Sequence, residues 1–207
     1  MERSATITLA SDYLFNGITQ TDEGPALQGS IDFSLESGVY FGSWASNVDF
    51  GDDTNLEVDF YGGYYGEFEN GGWYDVSLLY YSYHGGSGSD DSNYFEVAAA
   101  MGTDNLEVKV WYAPDYAGTG ARHIITALSY SYPVTENASL VVAVDRSESL
   151  DYEEFEWEPG DESYIHWRIG SEFSLSGFDA SITLEGTDLD TYGDTRLLAT
   201  ISKTFSF

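Results

Sequence analysis

Cysteine is absent from the 207 residues, so neither a disulfide framework nor thiol chemistry is open to this chain. Basic residues are scarce: 7 Lys and Arg stand against 36 Asp and Glu, for a net charge of −29. Nucleic acid is thereby excluded as a partner, because phosphate binding needs a basic footprint. Histidine occurs only as His84, His123 and His166, none with a His or Glu at metal-ligand spacing. No stretch approaches the ~18 apolar residues of a membrane helix, and no long apolar stripe of period 3.6 appears. Hydropathy is silent about strands that cross a bilayer with alternating faces.

What is plentiful is aromatic: 17 Tyr, 12 Phe and 5 Trp, with 22 Gly and only 4 Pro, a composition that favours strands and interfaces. The end of the chain, RLLATISKTFSF (196–207), shows the pattern most clearly. Alternate residues give one apolar face, Leu197, Ala199, Ile201, Lys203, Phe205 and Phe207, and one mostly hydroxyl face. An outer-membrane barrel places such a strand last, its apolar face against lipid and its aromatics in the interfacial girdle. It must pair with the first strand, since an open edge in lipid leaves backbone groups unsatisfied. Lys203 on the apolar face is expected to reach the headgroups.

The same alternation recurs along the chain. It predicts twelve strands, the first over 5–19, and an all-β fold: a transmembrane antiparallel up-and-down barrel forming a single domain over 1–207. Twelve strands leave about 17 residues for each strand and its connection, against the ~9–11 that a spanning strand needs. The third segment, 39–48, is aromatic on both faces and cannot be assigned an inside. Connections after odd-numbered strands are the longer, more acidic ones, which places both termini in the periplasm and those loops outside. The longest is an acidic extracellular loop at 146–163. Residues 1–3 are read as a start joined to a mature chain, whose export signal is expected to have been removed. A soluble β-sandwich does not predict this alternation of connections.

The segment SDYLFNGITQT (11–21), followed by PALQG (25–29), resembles the opening of the TorF-type porin family, conserved bacterial proteins long catalogued without a function. WASNVDF (44–50), LEVD (56–59) and the Tyr/Gly run at 61–65 are also similar to that family; the remainder resembles it in strand rhythm and the final Phe. Where the family commonly has Arg, this chain has Asn16. The resemblance implies an outer-membrane barrel with a pore, and no catalytic residues.

The faces assigned inward collect Asp12, Asp32, Glu57, Asp59 and Asp75 in the first part of the chain, then Glu96, Glu107, Asp145, Glu172, Asp179 and Glu185. Lys109, Arg168 and Arg196 are the bases among them, and His166 shares the face. Such a lumen raises cation occupancy and disfavours anions, so passive diffusion of small neutral or cationic solutes is expected, and acidic sugars are not. The alternative is a filled, non-conducting barrel that acts as a structural or surface-interaction protein through its acidic loops. Tyr13, Phe15, Tyr130, Tyr132, Trp167, Phe205 and Phe207 are assigned to the membrane girdle and to assembly. The expected location is the outer membrane of a Gram-negative bacterium. The expected partners are the bilayer with its lipopolysaccharide leaflet, the barrel-assembly machinery through the last strand, and small solutes, with the chain a monomer. No cofactor is expected beyond weak divalent cation binding at acidic loops: the run 188–194 lacks the third ligand and the closing Glu of a calcium loop. No enzyme is expected, since His84, near Ser87 and Ser89, sits in a Gly/Ser loop with no orienting partner evident.

Overall fold

Alternating faces with glycine and polar turns between them build one closed sheet. The computed structural model describes residues 1–69 and 71–207. Its barrel strands are β1 (Glu2–Ala10), β2 (Ala26–Ser34), β3 (Val39–Asn47), β4 (Leu56–Glu67), β5 (Trp73–His84), β6 (Tyr94–Gly102), β7 (Leu106–Ala113), β8 (His123–Thr135), β9 (Ala138–Ser149), β10 (Ser163–Leu175), β11 (Phe178–Thr187) and β12 (Arg196–Ser206). Each pairs antiparallel with its neighbours in chain order, and β12 returns to β1 in register from Ser4↔Ser206 to Ala10↔Thr200. Closure satisfies the backbone of every strand without solvent, the condition for spanning a bilayer.

The connections divide by end. Both termini and the short turns share one end of the barrel, here the turn end; the other, the loop end, carries 11–25, 48–55, 85–93, 114–122, 150–162 and 188–195. Between β10 and β11 the turn is a left-handed pair, Ser176 (φ 55) and Gly177 (φ 79), the geometry that matches strand twist in a two-residue hairpin. The turn read over 69–72 includes Asn70, which lies outside the described residues.

Outward side chains form an uncovered apolar band. Ile7, Leu9, Phe60, Leu78, Phe95, Val142, Ile169 and Ile182 are about half exposed or more, from strands all round the barrel. Hydrocarbon is the solvent that suits such a surface. Tyr130, Tyr132, Phe205 and Phe207 are exposed near the turn end, and Trp167 lies on the outward face of β10 between Ile165 and Ile169. Lys203 folds its ammonium over the rings of Phe178 (4.7 Å) and Phe205 (5.5 Å), a cation–π arrangement that reduces its need for headgroups.

Several boundaries differ from the sequence reading. The first strand stops at Ala10, not at residue 19, and the chain then turns into the barrel. Arg146 to Ser149 belong to β9, so the long acidic connection is 150–162. Glu2 and Arg3 are strand residues opposite Ser34 and Phe33. In β3, Tyr40 and Trp44 face inward, where Tyr40 bonds Asp75 and Trp44 meets Tyr13, while Phe41 faces out and stacks on Phe33 at 5.1 Å.

Candidate functional site: the filled mouth and the polar cup

The first connection supplies the centre of the site. Leu14–Phe15 and Ile18–Thr19 form a small antiparallel hairpin around Asn16 (φ 47) and Gly17 (φ 83), the Asn-Gly pair that a tight left-handed turn requires. At its base the Asp12 carboxylate accepts from the hydroxyls of Thr19 (2.7 Å) and Thr21 (2.8 Å). Asp12 is therefore a buried turn acceptor rather than a strand residue facing the lumen. Tyr13 and Phe15 are also corrected: they are not in the membrane girdle. The strand that would have carried them outward ends at Ala10, and both rings turn inward, Tyr13 edge-on to Trp44 (5.3 Å) and Phe15 edge-on to Tyr81 (6.4 Å).

The hairpin tip docks on β9, β10, β11 and β12. Asn16 Nδ2 donates to Asp145 (2.9 Å), and the Tyr164 hydroxyl donates to the Asn16 carbonyl (3.1 Å). Arg196 donates to the Gly17 carbonyl (3.4 Å) and pairs with Glu23 (3.1 Å). The strand register sets Asp145 opposite His166, whose ring nitrogens lie 2.7 Å from Asp145 and 3.2 Å from Glu185. The resemblance places a cationic residue at position 16; here Asn16 bonds one acid and His166 stands between both.

Across the lumen the mouth is filled by rings. Tyr81 stacks on Tyr94 (4.5 Å), Tyr94 meets Tyr116 edge-on (5.3 Å), Tyr116 stacks on His123 (4.2 Å), and Trp157 reaches both Tyr116 and Tyr164 (5.7 and 4.8 Å). Beneath them lie Glu57 and Glu96, 2% and 1% exposed, with buried Asp59. The Tyr83 hydroxyl donates to Glu57 (3.3 Å) and that of Tyr81 to Glu96 (2.7 Å). A Glu57 oxygen and an Asp59 oxygen are buried with no hydrogen-bond partner among the described residues.

The turn end is wetter. Asp32 accepts from Tyr61, Asp75 from Tyr40 (2.8 Å), and Asp179 from Ser174 (2.6 Å). Glu107, Lys109 and Arg168 are half-buried there, Lys109 over the Trp111 ring at 4.6 Å, and Glu172 is exposed. A cavity of about 480 Å³ opens among Ser139, Glu172, Asp179, Ser181, Thr200 and Ser202. The barrel interior is thus a polar cup at one end and a packed mouth at the other.

The rim is tied by charge. Arg122 donates to both Asp151 oxygens at 2.8 Å, and these bonds hold the Asp151 carboxyl down at about 2. Glu158 accepts the backbone N–H groups of Asp190 (2.8 Å) and Thr191 (2.6 Å), linking 150–162 to 188–195. Among the described residues, no three His, Asp or Glu side chains converge to hold a metal ion. Ser147 and His123 approach at 3.1 Å, but the far ring nitrogen of His123 is buried with no hydrogen-bond partner among the described residues, so none of these orients the imidazole as a base.

The family profile described as a bacterial protein of unknown function, Gcw_chp, matches residues 1–206. The chain belongs to that family. No curated protein matches it. Among solved structures, the barrel of this Gcw_chp chain is similar to the KdgM porin, with a TM-score of 0.64 at 10% identity over 98% of this chain and 99% of that one. It is similar to the NanC porin at 0.60 and 9% identity, each chain covered over 98%. An outer membrane channel from Pseudomonas putida F1 gives 0.54 at 11% identity, covering all of this chain and 95% of the other. At these identities the likeness is one of fold: the closed antiparallel barrel of outer-membrane porins.

The inserted hairpin and the ring cluster were missed by the pattern reading. The Asn16-Gly17 dipeptide between apolar residues was the available signal for the hairpin. Nothing in the sequence near Trp157 or Tyr116 announces that two distant loops bring them together.

Proposed function

We propose that this chain is an outer-membrane channel for passive diffusion of small neutral or cationic solutes, with the hairpin at 11–25 as its movable constriction. The observation that carries the reading is the inward charge: carboxylates face inward on β2, β4, β5, β6, β7, β9, β10 and β11, answered among the described residues by Lys109, Arg168, Arg196 and His166. In a space of low dielectric such a lining concentrates cations and repels anions. The hairpin is held by a few polar bonds and a turn, not by the continuous ladder that holds the strands, so it is the element able to move. The chain is proposed to act as a monomer, folded into the bilayer by the assembly machinery reading β12, with weak divalent screening at its acidic rim.

The buried belt at the mouth favours one second reading, a filled barrel that works through its loops. Swelling of liposomes that carry the refolded protein separates the two. Uptake of small neutral sugars and amines, with exclusion of size-matched carboxylates, supports the channel. Liposomes that stay osmotically intact even after residues 13–20 are shortened to a tight turn would leave only the filled barrel.

A further inference from the structure

The loop end holds two connected cavities that the channel reading does not use. The outer, about 520 Å³, is bordered by Asp22, Asp49, Phe50, Phe155, Trp157 and Tyr192. The deeper, about 140 Å³, is walled by Phe15, Phe50, Tyr83, Tyr94, Tyr116 and Trp157. Ile18, Gln20, Phe50, Tyr116 and Trp157 line both, so one leads into the other. Among the described residues, no Lys or Arg lines either.

We propose that this vestibule binds an organic cation, an alkylamine or quaternary ammonium group, held by aromatic rings above buried carboxylates. Ring faces carry negative quadrupole charge, and a desolvated cation over several of them is attracted without needing a matched hydrogen bond. The groups bonded behind the wall add to this. The Tyr83 hydroxyl at the cavity wall donates to Glu57, and Tyr81, stacked beneath Tyr94, donates to Glu96. Phenols that donate to carboxylates have more electron-rich faces, and the second Glu57 oxygen is buried without a hydrogen-bond partner among the described residues. Asp22 and Asp49 at the entrance set the sign of what approaches. A polyanion meets no base here, and a neutral apolar guest gains nothing from the acids.

The site deepens the channel reading by naming its solute class, yet binding is measured without conduction, so the two fail separately. The refolded 207-residue protein in detergent micelles is titrated by calorimetry with choline and with its uncharged isostere, 3,3-dimethylbutan-1-ol. Choline is expected to bind saturably and about tenfold or more tightly than the isostere, the ratio that a partly desolvated cation–π cage supplies. Trp157→Ala is expected to weaken choline by a similar factor and Trp157→Phe, which keeps a ring face, by much less. Should Trp157→Ala not refold, Asp49→Asn at the exposed rim is expected to lower choline affinity several-fold and leave the isostere unchanged. Equal affinity for the two ligands, no saturable choline binding, or binding indifferent to these substitutions would overturn the site. Choline binding by the parent, beside a variant shortened at 13–20 that inserts and never conducts, would overturn the channel alone.

Discussion

Gly17 shows how much rests on single positions at the mouth. A Cβ there would stand 2.6 Å from His166 Cδ2 and 2.7 Å from Thr187 Cγ2, at a φ of +83 that side chains avoid. Gly17→Ala is therefore expected to push the hairpin tip off β10 and β11. Because the chain has no cysteine, a single Asn16→Cys reports the change cleanly. Adding Gly17→Ala should raise maleimide labelling about tenfold or more, as strain of ~1–3 kcal/mol opens the docked tip; an unchanged rate would mean that the tip is not docked by this contact. His166 carries a larger share. Its removal leaves Asp145 and Glu185 buried together without the group between them, so His166→Ala is expected to cost ~3–5 kcal/mol in urea unfolding. At the rim, the depressed Asp151 carboxyl contributes fully above the ordinary carboxylate range, and its contribution is lost as pH falls through about 2. Pepsin should then cut the 150–162 loop readily near pH 2 and sparingly near pH 4, while Arg122→Gln is cut at pH 4 as well. Equal cutting of parent and variant at pH 4 would remove that tie from the account.

At the scale of elements, the two faces of each strand obey different solvents. Val142 lies outward at mid-strand in β9, so Val142→Arg is expected to lower stability in liposomes by ~2–4 kcal/mol, as charges do at bilayer depth. A loss near zero would place β9 out of contact with hydrocarbon. This alternation is what made the strands legible: in β12 or β6 every second residue changes solvent, and a period of two needs no tertiary knowledge. Legibility failed where alternation continued past the strand. Residues 11–19 keep the apolar rhythm of β1, but the rings of Tyr13 and Phe15 fill a lumen instead of meeting lipid. Apolar side chains buried in a mouth and apolar side chains against acyl chains look alike in a sequence; only the Asn16-Gly17 turn distinguished them. The ring cluster was illegible for another reason. Tyr116 and Trp157 come from loops whose meeting depends on ties such as Arg122 to Asp151, and pattern carries no such distance information.

The whole molecule is a barrel with unequal ends. Its turn end is a polar cup of half-buried charges and hydroxyls, and its loop end is closed by one hairpin and a ring of aromatics over buried acids. Twelve strands lie between the ~8 that side chains fill outright and the ~16 that leave a water channel, so an inserted segment decides whether the lumen is occupied. The net charge of −29 acts at this scale too, drawing cations toward either mouth. The central claim is that the hairpin closes a cation-preferring lumen. Its most direct test is the reversal potential of single channels in planar bilayers under a salt gradient, recorded for the parent chain and for a variant with residues 13–20 replaced by a short turn. The account predicts rare openings from the parent, frequent discrete steps from the variant, and a cation-directed reversal potential for both. A variant that inserts and never conducts, or that conducts with anion preference, would contradict it.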